Sequence, residues 1–95
     1  MLATILSKLI DASMANPAKP YVHRFSGGLR VTIIYHAKFQ KFNLVLSRDS
    51  ILPSLKEWNI VLDNWPYPTR SKPHSSDIDG RHYLSAFLPV HPKLF

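Results

Sequence analysis

The chain contains no cysteine, few acidic residues and no long apolar segment. The absence of cysteine excludes disulfides and thiolate metal sites. A membrane-spanning helix needs roughly 18 or more consecutive apolar residues. The chain has no such run, so we expect no membrane partner. The apolar segment 1–10 lacks the basic start and the cleavage site of a signal peptide, and we therefore expect a cytoplasmic protein.

Acidic residues are missing from the whole interval between Asp11 and Asp49. The 95-residue chain has 12 lysines and arginines against 6 acidic residues, a formal net charge of +6. The cations of the acid-free interval are Lys19, Arg24, Arg30, Lys38, Lys41 and Arg48. A positive field concentrated in this way is typical of proteins that bind an anionic partner, namely nucleic acid, an acidic protein surface or a membrane face. The alternative is a basic surface that only aids solubility.

The spacing of the histidine, serine and acidic residues does not match that of a metal site or of a catalytic site. No two of the five histidines stand four residues apart on a predicted helix, as a helical metal site would need. His74 and the Ser-Ser-Asp sequence after it contain the residue types of a catalytic triad. They lie in a predicted loop, however, and a loop would not hold these groups rigidly enough for nucleophilic catalysis. We therefore expect no enzymatic activity, no metal and no cofactor.

Hydrophobic periodicity predicts the element order α-β-β-β-α-β. One helix is predicted over 2–15, and a second begins after Ser54, whose spacing to Glu57 is that of a capping box. Strands with period-two alternation are predicted over 21–25, 29–36, 41–48 and 81–88. The order predicts an α+β two-layer sandwich in a single domain, 1–95. It consists of a three-stranded antiparallel meander, a C-terminal fourth strand whose position is open, and two helices packed on one face.

Two segments lie outside these elements, a long basic and proline-rich loop over 65–80 and a C-terminal tail over 89–95. A loop of this length is usually functional or disordered. The fourth strand carries apolar residues on both faces. This favours either a central strand covered on both sides or a homo-oligomer in which the second face meets another copy.

The turn Ser26–Gly28 leaves two registers open for the first hairpin. In a three-residue loop a glycine takes the left-handed conformation, and Phe25 pairs with Leu29. The aromatic residues of the first strand then enter the core. Arg24 faces Arg30 across the exposed side, where two like charges repel and an anion that bridges them would relieve the repulsion.

A loop of only Gly27-Gly28 reverses the faces of the first strand. Tyr21, His23 and Phe25 would then form an outward aromatic platform of the kind that stacks single-stranded bases. This register directs Arg24 at the core, which is costly unless the charge is paired. We therefore favour the three-residue loop.

These patterns favour a small, non-enzymatic, basic nucleic-acid-binding protein that uses the acid-free face of the sheet together with the loop. DNA or RNA would be held mainly through phosphates, with weak sequence preference. The predicted binding residues are Arg24, Arg30, Lys38, Lys41, Arg70 and Lys72. The alternative is a protein–protein interaction module, namely an adaptor, an inhibitor or a small subunit of a larger assembly. It would use the fourth strand's second face, the proline-rich loop and Phe95.

Overall fold

The fold is known from a computed structural model, which describes residues 1–67, 69 and 71–90. The helices are α1 (Leu2–Ala15) and α2 (Leu55–Asp63). The strands are β1 (Tyr21–Arg24), β2 (Arg30–His36), β3 (Lys41–Arg48), β4 (His74–Ile78) and β5 (Arg81–Pro89). They form one antiparallel five-stranded sheet in the order β1-β2-β3-β5-β4. The predicted α+β architecture is confirmed, with one strand more than expected.

The additional strand, β4, lies inside the segment 65–80 that the sequence predicts to be a loop. It pairs with β5 through a hairpin whose two turn residues, Asp79 and Gly80, both have positive φ. Such a two-residue turn matches the twist of an antiparallel pair. All five residues of β4 are exposed. This segment is therefore a strand because its backbone pairs with β5, and burial of apolar side chains contributes nothing to its formation.

The end of β5 also differs from the prediction. Pro89 is its last residue, and Val90 is buried and donates its backbone N–H to the carbonyl oxygen of Gln40 at 3.3 Å. The first two residues of the predicted tail thus belong to the folded domain. Residues 91–95, which include Phe95, lie outside the described part of the chain.

Both helices pack on the same face of the sheet. Successive side chains of a strand point to opposite faces, and on the helix side of the three inner strands they are mainly apolar, with Arg48 and His82 as polar members. The buried strand residues are Val31, Ile33, Phe42, Leu44, Leu46, Leu84, Ala86 and Leu88. The helices add Leu6, Ile10, Trp58 and Val61 to this cluster. Within the described residues no second layer covers the other face, so β5 is covered on one side only.

The first hairpin has the three-residue register. Phe25 donates its backbone N–H to the carbonyl oxygen of Leu29 at 2.8 Å, and Arg24 lies opposite Arg30. Gly27 has φ +83° and Gly28 has φ +85°. The alternative aromatic platform on β1 is therefore absent, and the like-charged pair is present.

Helix α2 begins with the predicted capping box. Ser54 Oγ accepts from the backbone N–H of Glu57 at 3.1 Å, and Glu57 Oε1 accepts from the backbone N–H of Ser54 at 2.9 Å. Trp58 Nε1 donates to the carbonyl oxygen of Ser71 at 3.0 Å, which ties the connection after α2 to the helix. No helix among the described residues is long and apolar enough to cross a bilayer.

Replacing Gly27 by alanine tests the register of the hairpin. A Cβ at this position would meet no atom within 4 Å, so the cost is conformational rather than steric. We expect Gly27→Ala to lower the free energy of unfolding by about 1 kcal/mol, since left-handed backbone disfavours a Cβ. Ser26→Ala, in the same turn, should stay within about 0.5 kcal/mol of the wild type. Urea denaturation measures both, and equal stability of the two variants would contradict the turn geometry.

Candidate nucleic-acid interface

The face of the sheet opposite the helices, called here the open face, carries every second residue of each strand. From β1 to β3 these residues are Val22, Arg24, Arg30, Thr32, Ile34, His36, Lys41, Asn43, Val45 and Ser47. From β5 and β4 they are Arg81, Tyr83, Ser85, Phe87, Pro89, His74, Ser76 and Ile78. None of them is acidic. The strands contain a single acid, Asp77, which lies on the helix side opposite His82.

One end of the open face, the arginine end, is formed by Arg24, Arg30, Arg81 and Asp49. Asp49 lies just beyond β3 and bridges two arginines through its Oδ1 atom, at 2.8 Å from a terminal nitrogen of Arg30 and 3.3 Å from Nε of Arg81. Arg30 Nε also donates to Ser47 Oγ at 3.2 Å. The Arg30 side chain is only 12% exposed and is held in place. The chain itself thus supplies an anion to Arg30 and Arg81, but not to Arg24 opposite Arg30.

This arrangement shifts the ionisation of both groups. The hydrogen bond from Arg30 is the main reason that the pKa of Asp49 lies below its usual value. Partial loss of hydration opposes the shift, and the charges of Arg30, Arg81 and Arg24 add to it. The pKa of Arg30 is raised, chiefly by the same hydrogen bond. Asp49 therefore stays ionised to lower pH than an ordinary aspartate and keeps part of the arginine charge neutralised.

Arg24 is the arginine of this end that keeps its charge unpaired. It is exposed and forms no ion pair with any described residue. It contributes to the field at Asp49 but does not contact it within ion-pair distance.

The opposite end of the open face, the aromatic–lysine end, is formed by His36, Phe39, Lys41 and Phe87, with Lys38 beside them. The first four residues line a shallow cavity of about 350 Å³. The rings of His36 and Phe87 are 5.7 Å apart at 58°. Lys38 Nζ lies 5.7 Å from the centroid of the Phe39 ring.

The two ends are separated along β2. Arg30 and His36 stand at the first and last positions of that strand, which at about 3.3 Å per residue puts them about 20 Å apart. The residues between them on this face, Thr32 and Ile34, are uncharged. The open face thus has a cationic site at each end and a neutral centre.

The predicted binding residues are not all brought together. Arg24, Arg30 and Lys41 lie on the open face, and Lys38 lies in the β2–β3 turn at its edge. Lys72 lines a different cavity, of about 480 Å³, beside α2 residues such as Asn59 and Asp63. Arg70 lies outside the described residues.

Three further open-face residues were not among the predicted ones. Arg81 joins the arginine end through Asp49, and His36 and Phe87 belong to the aromatic–lysine end. Phe39 reaches the same cavity from the β2–β3 turn. A signal for Phe87 was present in the sequence. One face of its strand carries Leu84, Ala86 and Leu88 in succession, whereas the face of Phe87 also carries Ser85, which is typical of a solvent-facing side.

The other charged contacts of the sheet lie on the helix side. Arg48 is paired with Glu57 of α2, and the hydrogen bond from Arg48 is the main reason that the pKa of Glu57 is lowered. His82 Nδ1 lies 2.5 Å from Asp77 Oδ1. Among the residues that the structure describes, no three His, Asp or Glu side chains converge to hold a metal ion.

Comparison of the chain with protein-family models, with curated proteins and with solved structures gives no match.

The Asp49 bridge predicts unequal effects of its two arginines. Arg30→Gln should raise the pKa of Asp49 toward its ordinary value of about 3.9, and Arg81→Gln should raise it less, because Arg30 supplies the dominant hydrogen bond. A carboxyl ¹³C NMR titration measures the pKa in each variant. An unchanged pKa in Arg30→Gln, or a larger change in Arg81→Gln, would contradict the geometry.

The same shift predicts how acid affects stability. A carboxyl whose folded pKa is lowered contributes stability above its unfolded pKa and loses it as the pH falls through the folded value. Between about pH 4 and the lowered pKa of Asp49, Arg30→Gln should therefore lose less unfolding free energy than the wild type does.

Proposed function

We propose that the protein is a small, non-enzymatic nucleic-acid-binding protein and that its open face is the binding surface. The observation that carries the proposal is the acid-free composition of this face. None of its strand residues is acidic, and Asp49, an acid at its edge, is already paired with two arginines. A phosphate backbone that lies across the face meets cations without meeting a carboxylate that repels it.

Three cations on or beside the face support this proposal most directly. Arg24, Lys38 and Lys41 are exposed, and they form no ion pair with any described residue. A cation that is not already paired does not have to give up an ion pair when it contacts a phosphate. Arg30, held by Asp49 and Ser47, is expected to contribute less than Arg24.

The separation of the two ends also suits a polyanion. A distance of about 20 Å corresponds to about six base-pair steps of a DNA duplex at about 3.4 Å per step. A single small anion cannot span this distance, whereas an oligonucleotide can contact Arg24 and Lys41 at once. Because phosphate contacts dominate, we expect weak sequence preference.

A second candidate function, binding of a protein partner, is favoured by a different surface. The apolar residues Ile51, Leu52, Leu55 and Ile60, before and within α2, are between 39% and 65% exposed. Exposed apolar clusters mark many protein interfaces. This surface lies with α2 on the helix side, so the two functions are separable by mutation. The cytoplasmic location and the homo-oligomer expected from the sequence stay predictions.

Removal of two open-face cations tests the proposal. Fluorescence anisotropy with labelled oligonucleotides across a salt series should show affinity that falls steeply with salt. The double variant Arg24→Ala/Lys41→Ala should bind all sequences more weakly and reduce the slope of log affinity against log salt by about 2.

A matched control removes the same charge from the helix side. Lys8 on α1 and Lys56 on α2 are both exposed, and Lys8→Ala/Lys56→Ala should leave the salt slope unchanged. Equal losses in the two double variants would show that only net charge matters. No binding at low salt by the wild type would contradict the proposed function itself.

A further inference from the structure

We propose that the aromatic–lysine end binds single-stranded nucleic acid, with bases stacked on Phe39 and Phe87 and phosphates held by Lys38 and Lys41. This inference rests on the proposed function and names the class of nucleic acid that the open face takes. It is carried by the ring geometry and the charge of this end, which are independent of the arginine end.

The two phenyl rings are exposed to an unusual extent. Phe39 is 66% exposed and Phe87 is 60% exposed, whereas Phe42, the buried phenylalanine of β3, is 0% exposed. Large apolar side chains are normally buried, and a cluster of exposed ones usually marks a contact surface. Neither ring is needed to fill the core, which is closed on the helix side.

The rings line one cavity and leave space for a flat group. His36, Phe39 and Phe87 surround a space of about 350 Å³ together with Lys41. The His36 and Phe87 rings are inclined at 58° and do not stack face to face. A planar base can therefore lie against a phenyl ring without displacing an existing stack.

The charge around the cavity completes the match to a nucleotide. Lys41 lines the cavity, and Lys38 lies over the Phe39 ring at 5.7 Å from its centroid. An apolar floor with cations at its edge suits a base with a phosphate attached, and this combination is the usual platform for single strands. In a duplex the bases are stacked inside the helix, so their faces cannot reach a phenyl ring. An acidic protein surface would complement the lysines but would leave both rings unexplained.

The test compares four ligands of equal length by fluorescence anisotropy: single-stranded DNA, single-stranded RNA, duplex DNA and a single strand of abasic sites. The abasic strand keeps the phosphates and lacks the bases. We expect either natural single strand to bind more tightly than the abasic strand and the duplex. Tighter binding of RNA or of DNA identifies which of the two is the preferred source of the bases.

Two variants locate the stacking. Phe39→Ala and Phe87→Ala should each weaken single-strand binding by about 5- to 150-fold, the range measured for loss of one stacked base, and leave abasic-strand binding unchanged. The matched control is Ile60→Ala, which removes a 46% exposed apolar residue of α2, on the helix side and away from the open face. This control should bind as the wild type does.

A tryptophan in place of Phe87 gives a direct optical readout. The two native tryptophans, Trp58 and Trp65, are 1% and 6% exposed, so bases in solution reach them little. Fluorescence of Phe87→Trp should be quenched by the natural single strands and not by the abasic strand. This readout does not depend on the effect of a mutation on affinity.

The outcomes separate this inference from the proposed function. Binding in which the abasic strand and the duplex match the natural strands, with no effect of either phenylalanine variant, would overturn the stacking and leave phosphate binding intact. No binding of any ligand at low salt would overturn both. If Phe87→Ala instead dissolves a dimer seen by sedimentation, the cavity is an interface between copies and the inference is wrong.

Discussion

The constraint on which the rest of the structure depends is the alternation of side chains across a sheet that is covered on one face only. Both helices lie on that face, so every apolar strand residue of the core must share the same parity. The hairpin register enforces this on β1, where two glycines at positive φ allow a three-residue turn. A slip of one residue would turn Arg24 into the core and expose Phe25.

The same alternation and register also decide on which face of the sheet each charged side chain lies. The acids of the helices and strands lie on the helix side, where Glu57 pairs with Arg48 and Asp77 with His82. Asp49 lies just beyond β3, and its carboxylate holds Arg30 and Arg81 together instead of opposing an incoming anion. The open face is therefore positive at both ends, because the register places Arg24, Arg30 and Lys41 on it and no strand acid.

The sequence predicted the layers, the helices and the first hairpin, because these rest on periodicity and capping, which are local. It missed β4, since His74 and its neighbours have no apolar alternation and become a strand only by pairing with β5. Lys72 was expected beside the other cations, yet its contacts depend on the path of an irregular segment. The aromatic–lysine end was missed because Phe87 and Lys41 are far apart in sequence and meet only through strand order. The two-residue turn would put exposed aromatic rings on β1, and the structure has them on β5 and in the β2–β3 turn instead.

The central claim is that the open face, and not the helix side, contacts nucleic acid. The most direct test is an NMR titration of the ¹⁵N- and ¹³C-labelled protein with a short oligonucleotide at low salt. Backbone amide and side-chain methyl resonances report each surface separately. The account predicts the largest shifts at Lys41 and Phe87, in the β2–β3 turn and at Val22 and Val45, with α1 and α2 unchanged. Shifts concentrated at Ile51, Leu55 and Ile60 would contradict it.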